Sequence, residues 1–523
     1  MLKGFAVTRR LVVVSLGVAK LPVGREFAET RLIPGASLLE SVTSTSLVPS
    51  PGPVEVREAV LSGPGSGLAE VVGVEPLAAV LTAQVVAQAV VSSGVEDDRR
   101  GLLDATVIAV LVAGLCLFTG EGYDGVLARM WPLLAGFKPA TLLSPPVSGA
   151  GLSKARAWLP AAVMKALFEA GARAGAVETI GCRVFGLLVT AVDGTVFDLP
   201  NTAAVRARYQ IPSAGRFPQA RVVTLVACGT RKVVAAVMDS CAVSEQALWD
   251  RLVASVRVGT LCLADRNFFA MHRWQVAAGT GAHLAWRVKN GHKSLPAKVI
   301  GVLVDGSALV RLRESDAMLR TRRKAVKDPK AARLPDITAR LVEFTVTVTD
   351  EAGRRHTSLF RVLSTLLDPQ AYPAQQIAAL YAERWQVELV YKTIKSTLRG
   401  PGRRLRGESA ELCEQELWGF LAVYNTVVDH AVAAAVDLGI DPDRMSFTAV
   451  LHAVRDHLTS PGCRNCGHRP TPGDLVEAII AGPRNRSDRH RTSPRTTKDR
   501  ETQHTRNVEY TITIEESTLP KTT

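Results

Sequence analysis

The stretch Tyr381-Ala-Glu-Arg-Trp-Gln-Val-Glu-Leu-Val-Tyr-Lys-Thr-Ile-Lys395 constrains this chain more than any other. Its spacing predicts a helix. Pro373 suits a first helical turn, where a missing N–H costs nothing, and Gly400-Pro401 supplies the stop. At about 100° per residue, Tyr381, Arg384, Glu388, Lys392 and Lys395 fall on one stripe. Leu380, Val387, Val390, Ile394 and Leu398 fall on the adjoining stripe, which predicts a core-facing side. One carboxylate flanked by an arginine, two lysines and a tyrosine suits a metal ion beside a phosphodiester. The carboxylate holds the cation, and the basic groups and the hydroxyl grip phosphate oxygens. Arg384–Glu388 and Glu388–Lys392 are also spaced as ordinary surface ion pairs, so spacing alone leaves both readings open.

A chain of 523 residues has room for about three domains and a large core. Its net charge of +14 and pI near 9.6 predict a polyanionic partner. Nucleic acid fits better than a membrane, because no apolar run reaches the length of about 18 residues that a span needs. The longest, Val107 to Phe118, reads as a buried helix. Arg9-Arg10 followed by Leu11 to Ala19 has the look of an export signal. The run is short and interrupted by Ser15 and Gly17, so we expect a cytoplasmic, nucleoid-associated protein. Eight cysteines scattered among apolar neighbours predict reduced thiols. An aromatic share of 5% with this charge argues against a glycosidase built on two carboxylates.

Residues 1–75 mix Pro, Gly, Ser and Val without periodicity and predict a poorly ordered segment. Residues 76–140 turn helical, in stretches Leu77 to Val91, Arg99 to Leu117 and Tyr123 to Leu134. A Pro/Gly/Ser linker follows over 138–152, then a short helix from Ala155 to Ala170. Val184 to Val192 reads as a buried strand with Asp193 at its end and a turn at Gly194, while Asp198 is a nearby competitor. Arg221 to Cys228 and Lys232 to Asp239 form a hairpin around Gly229-Thr230, and Ser244 to Val256 a helix. Leu261 to Ala264 is a short strand ending in Asp265, before a helix from Phe268 to Ala278. As a structural residue, Asp265 would cap that helix.

The long gap before Glu388 carries five β-patterned runs: His283 to Lys289, Lys298 to Val304, Ala308 to Arg313, Thr338 to Thr347 and His356 to Ser364. Arg320 to Arg333 reads as a basic loop suited to phosphates. Two long apolar helices follow the motif helix, over Glu408 to Val436 and Asp441 to Leu458. Cys463, Cys466 and His468, with His457, form an incomplete zinc pattern. From Arg484 the chain is basic and patternless, as a disordered polyanion-binding tail would be.

The spacing Tyr381, two residues, Arg384, three residues, Glu388, six residues, Lys395 resembles the tyrosine-arginine-glutamate-lysine signature of insertion-sequence-4-type DDE transposases. Residues 359–400 resemble that family's third catalytic block throughout. Asp193-Gly-Thr resembles the first acidic block, and Asp265-Arg-Asn-Phe the second, with Asn267 standing for a usual glycine. Asn tolerates the left-handed backbone that a glycine there would adopt. Residues 102–130 resemble the family's helical N-terminal domain, which contributes to terminal-repeat DNA binding.

The resemblance implies an α/β fold: a ribonuclease H-like catalytic core interrupted by a β-rich insertion and preceded by a helical N-terminal domain. It divides the chain into the poorly ordered segment 1–75, a helical domain over 76–140, core over 150–280, insertion over 281–365, core over 366–460 and a basic tail over 461–523. It implies Asp193, Asp265 and Glu388 as catalytic metal ligands for Mg2+, with Mn2+ as substitute. It implies Tyr381, Arg384 and Lys395 as contacts to DNA-end phosphates, with Lys392 and Trp385 in support. The implied partners are double-stranded DNA, as terminal inverted repeats and target, and a second copy in a dimeric synaptic complex. A DNA-binding protein derived from a transposase with an inactive site, or a related two-metal nuclease, would share most of these features.

Overall fold

The computed structural model describes residues 83–97, 101–134, 147–173, 182–290, 295–349, 353–460, 471–485 and 509–521. The expected N-terminal segment 1–75 and the cysteine-histidine group at 463–468 lie outside the described residues.

Five helices open the described chain: α1 (Ala83–Ser92), α2 (Ala105–Leu117), α3 (Tyr123–Leu134), α4 (Gly149–Trp158) and α5 (Ala161–Arg173). The side chain of Asp104 accepts from Val107 N–H and starts α2, which is buried nearly all round. The predicted helix from Ala155 to Ala170 is two helices. Ser148 caps α4 from Gly149, within the stretch expected as linker, and Pro160, which lacks an N–H, separates α4 from α5.

One sheet of 11 strands follows. Its strands are β1 (Arg183–Val184), β2 (Leu187–Asp198), β3 (Gln219–Ala227), β4 (Lys232–Ser240), β5 (Thr260–Ala264) and β6 (His283–Arg287). They continue with β7 (Ala297–Val302), β8 (Ala308–Leu312), β9 (Ile337–Thr349), β10 (Arg355–Ser364) and β11 (Glu509–Glu515). The order is β4-β3-β2-β5-β6-β10-β9-β8-β7, with β1 on β2 and β11 on β9. β2, β3 and β4 are antiparallel neighbours, whereas β2, β5 and β6 run parallel. An antiparallel hairpin joined to three parallel central strands in the order β4-β3-β2-β5-β6 is the ribonuclease H-like arrangement. Within 281–365, β6 belongs to that central set, and the strands that follow it form no layer of their own. They extend this same sheet, because β10 pairs with β6.

Between the strands lie α6 (Ala203–Arg206), α7 (Glu245–Leu252), α8 (Met271–Gly279) and α9 (Asp316–Val326). The first half of the expected basic loop at Arg320 to Arg333 is therefore helix, and the rest, from Lys327, is turn and coil. Ser315 caps the helix, and buried Glu314 takes Arg322 in two bonds of 2.7 and 3.0 Å, giving the basic residues a local partner. After β10 come α10 (Ala374–Leu380), a 3-10 turn over Tyr381–Trp385, α11 (Gln386–Lys392) and a π turn over Thr393–Leu398. The chain closes with α12 (Ala410–Asp437), α13 (Phe447–Thr459) and α14 (Pro472–Ala481). By length and composition α12 could cross a membrane, although no uninterrupted apolar run in the sequence reaches about 18 residues. Yet 78% of its most apolar window is buried inside the protein, so it serves as a core helix.

The sheet separates two cores. Ala191, Leu263 and Ala285 face the core shared with α2, α5, α11 and α12, while Val192, Ala264 and Trp286 face the one shared with α7 and α8. Arg156, 1% exposed, joins the N-terminal helices to α12 through Gln415 (2.7 Å), Glu416 (3.1 Å) and the Tyr123 hydroxyl (3.0 Å).

Part of the expected C-terminal tail is ordered. β11 adds to β9 over Glu509 to Glu515, in the space that β8 leaves beyond Ala308–Leu341. A buried ion pair lies beneath it: Arg361 Nε is 3.1 Å from Glu343 Oε2, each side chain 1% exposed. Ser517 donates to Glu343, and Arg361 donates to Thr518. Removing one partner strands the other as a buried charge. Arg361→Ala should therefore cost about 3–5 kcal/mol in urea unfolding, whereas Arg355→Ala, at the exposed start of β10, should cost under about 0.5 kcal/mol.

Candidate active site

The parallel strands β2, β5 and β6 are in register at Val192, Ala264 and Trp286. The next residue on each is Asp193, Asp265 and Arg287. Side chains alternate, so all three point to the face opposite Val192, Ala264 and Trp286, from strands about 4.8 Å apart. That face carries α11. The row thus presents Asp, Asp and Arg toward the motif helix. Asp193 does not end its strand, as the sequence suggested. β2 runs on to Asp198, because its other edge stays paired with β3 through Asp198–Gln219. Asp198 itself is exposed, bonded to Gln219 (2.8 Å) and away from the row.

Arg384 ties the helix to the row. Its Nη1 lies 3.3 Å from Asp193 Oδ2, and its Nη2 lies 2.8 Å from Glu388 Oε1. One guanidinium therefore holds two carboxylates, its planar fork dividing between them. Burial opposes the charge of Arg384, but Tyr381, Asp193 and Glu388 outweigh it and raise its pKa. Burial pushes the Asp193 carboxyl up to about 6, against the pull of Arg384 and the Gly194 N–H; Glu388 and Glu245 add to the rise. Asp265 meets Arg287 Nη1 at 3.8 Å, and its buried Oδ1 has no hydrogen-bond partner among the described residues. It does not cap α8, whose N-cap is Ala270. Asn267 is not left-handed. Its amide instead donates to Glu245 Oε2 (2.7 Å).

The other motif residues divide. Tyr381 is buried, and its hydroxyl donates to Ala264 O (3.2 Å), the residue before Asp265. Lys395 turns inward, donating to Thr195 Oγ1 (2.5 Å) and Val196 O (2.7 Å) with Phe197 below it. Burial and nearby Arg399 lower its pKa to about 8. Lys392 is exposed and Trp385 half-buried. The predicted single polar stripe is thus split by the changes in winding, while the apolar stripe Leu380, Val387, Val390, Ile394 and Leu398 is buried throughout.

Three residues at the site escaped the sequence reading. Arg287 follows the run His283 to Trp286 as Asp265 follows Leu261 to Ala264, a parallel the sequence did carry. Tyr391 donates to Asp193 O (2.6 Å) and bonds Thr224 Oγ1 (2.8 Å), pinning β2 and β3 under the helix. Glu245, the first residue of α7, lies over Gly194 so closely that a Cβ there would sit 2.5 Å from its Oε1. Nothing in the local sequence announces that contact.

The donor set suits a hard divalent cation. It is all carboxylate oxygen, one buried oxygen lacks a hydrogen-bond partner, and burial of Asp193 favours a neighbouring positive charge. Among the described residues, no three such side chains are drawn together closely enough to hold an ion in this arrangement. Arg384 stands between two of them.

The family model for the transposase DDE domain matches residues 185–426, and that for the insertion element 4 transposase N-terminal region matches residues 72–169. The chain belongs to the insertion-sequence-4-type DDE transposases. A curated relative of this transposase is the transposase InsG for insertion sequence element IS4 of Escherichia coli (strain K12), 26% identical over 376 residues. The match covers 70% of this chain and 79% of that protein. A cryo-EM structure of the piggyBac transposase synaptic complex with hairpin DNA is similar with a TM-score of 0.40 and 8% identity, over 79% of this chain and 86% of that one. The strand order, rather than that distant likeness, fixes the fold. As a bacterial insertion-sequence transposase the protein cleaves and transfers DNA strands, chemistry that in this family uses a divalent metal ion.

The Asp193 shift has a measurable sign. Folding raises this carboxyl from 3.8 to about 6, so folding favours its neutral form. The ionised form then costs stability increasingly as pH rises from about 4 to about 6. In EDTA, Asp193→Asn should exceed the parent by about 1–2 kcal/mol at about pH 7, with the gap closing below about pH 4, in urea titrations across that range.

Proposed function

We propose that Asp193, Asp265 and Glu388 are the acidic residues that hold the divalent metal for cutting at the element's terminal inverted repeats and joining the freed ends to target DNA. The observation that carries this is the register. Two carboxylates emerge level from neighbouring parallel strands, and the guanidinium that binds one of them also binds the carboxylate of the motif helix. Hard oxygen donors favour Mg2+, with Mn2+ as substitute. When bound, such ions supply the charge that activates an attacking water or 3′-hydroxyl oxygen and stabilises the leaving oxygen of an in-line displacement.

The remaining residues orient. Tyr391 fixes the backbone at Asp193, and Tyr381 fixes it at Ala264, so each aspartate is held through its own strand. We therefore assign Tyr381 to positioning rather than to direct phosphate contact. Arg287 holds Asp265 from the side, its guanidinium stacked over Phe360 at 4.3 Å. Lys392, exposed beyond Glu388 on the helix, suits the phosphates of a DNA end, whereas Lys395, bonded to Thr195 and Val196, would have to turn outward to reach one. Two copies meeting at paired element ends, a dimeric synaptic complex, complete the proposal.

Glu388→Gln keeps the shape of the side chain and removes its charge. In a plasmid nicking assay with repeat-bearing DNA, with Mg2+ and with EDTA, it should lose about three orders of magnitude or more in rate while keeping its affinity for DNA. Nicking that survives in this variant would remove Glu388 from the site, and an inactive parent would favour a DNA-binding protein with a dead site. Salt dependence separates the basic residues from the tyrosine. Lys392→Ala should lower the slope of log affinity against log salt by about one, and Tyr381→Phe should leave it unchanged.

A further inference from the structure

The two carboxylates that share Arg384 are two of the three assigned above to the metal ion. Asp193 Oδ2 and Glu388 Oε1 are each bonded to a different nitrogen of the same guanidinium. The side chains of Arg384, Asp193 and Glu388 are 12%, 21% and 17% exposed, so the cluster is largely dry but open at its rim. In such surroundings an uncompensated carboxylate is strongly disfavoured, and the arginine sets one positive charge against both members of the pair. A divalent ion on the same oxygens would meet the guanidinium as a like charge at contact distance. Ion and arginine therefore compete for one pair of acids.

Arg384 has a second class of partner within reach. Guanidinium forks match phosphate as they match carboxylate, and Arg384 sits on the helix that continues to Lys392 and Lys395. We propose that Arg384 is an exchangeable counter-ion: it holds Asp193 and Glu388 together in the arrangement seen here, a DNA phosphate draws it away, and divalent-ion binding at those acids is thereby coupled to DNA binding. This rests on the assignment of Asp193 and Glu388 as ion-holding residues. The coupling is reciprocal, so whatever DNA does for ion affinity the ion does for DNA affinity. Arg287 has no part in the exchange. It stays with Asp265, anchored on Phe360.

Reading free Mn2+ by electron paramagnetic resonance tests this on the full chain, using Mn2+ alone and Mn2+ with a short duplex at low salt. Duplex with the Asp193→Asn, Glu388→Gln double variant subtracts ions held by the DNA itself. The parent should bind Mn2+ about tenfold or more tightly with duplex than without. Arg384→Gln should bind Mn2+ without duplex about as tightly as the parent does with it, and should gain little when duplex is added. Arg384→Lys, a point charge that cannot span both acids, should fall between them. Equal parent affinities with and without duplex would overturn the coupling, as would an Arg384→Gln affinity no tighter than the parent's. If Arg384→Gln proves unfolded by circular dichroism, the parent comparison still decides. Mn2+ binding unaffected by the double substitution would instead overturn the site assignment, and the coupling with it.

Discussion

Mutual repulsion among carboxylates is the constraint that this structure is arranged around. Asp193, Asp265, Glu388 and Glu245 gather at the ends of the parallel strands and beside them, where burial makes the charge of Asp193 expensive. Two arginines answer that repulsion from opposite sides. Arg384 spans Asp193 and Glu388 from the helix, and Arg287 approaches Asp265 from the third parallel strand. The hydroxyls of Tyr381 and Tyr391 then fix the strand backbones, so that the acids are placed by main chain rather than by their own flexible side chains.

The motif helix is wound three ways, and the winding distributes its residues. The 3-10 turn carries Tyr381 into the sheet and leaves Arg384 at the rim. The π turn over Thr393–Leu398 widens the helix where Lys395 turns to Thr195, while Lys392 on the turn before stays outside. Irregular winding inside a helix recurs at functional sites because it re-aims side chains without ending the element. A uniform helix would have presented one unbroken polar stripe.

Much of the core could be read from local pattern. Short apolar runs leading into Asp193 and Asp265 marked the central strands, and the buried stripe from Leu380 to Leu398 marked the inner face of the helix. What stayed hidden depends on pairing between distant segments. Asp193 looked like a turn residue because Asp-Gly is a common turn, yet β3 pairs with β2 beyond it and keeps it extended. Residues 509–515 looked like tail because nothing near them in the chain marks the edge of β9 that they cover. The basic run near Arg320 looked like loop because the residues that make it a helix, Ser315 and Glu314, lie just outside it. Glu245 met Gly194 only through tertiary contact.

The register of Val192, Ala264 and Trp286 bears on how such elements diverge. A strand reverses its faces at each residue, so losing or gaining one residue within β2 or β5 would turn an aspartate into the opposite core. No nearby substitution could restore it. The connection between α6 and β3 is anchored at buried Tyr209, but its outer part, residues 211–217, sets no face and tolerates length changes far better. Lineages descending from this chain are expected to vary in point substitutions at exposed positions away from the acids, but in length almost only outside the parallel strands. In this protein the spacing of the acids is thus inherited as a count of residues, and their identities are only half of what selection must preserve.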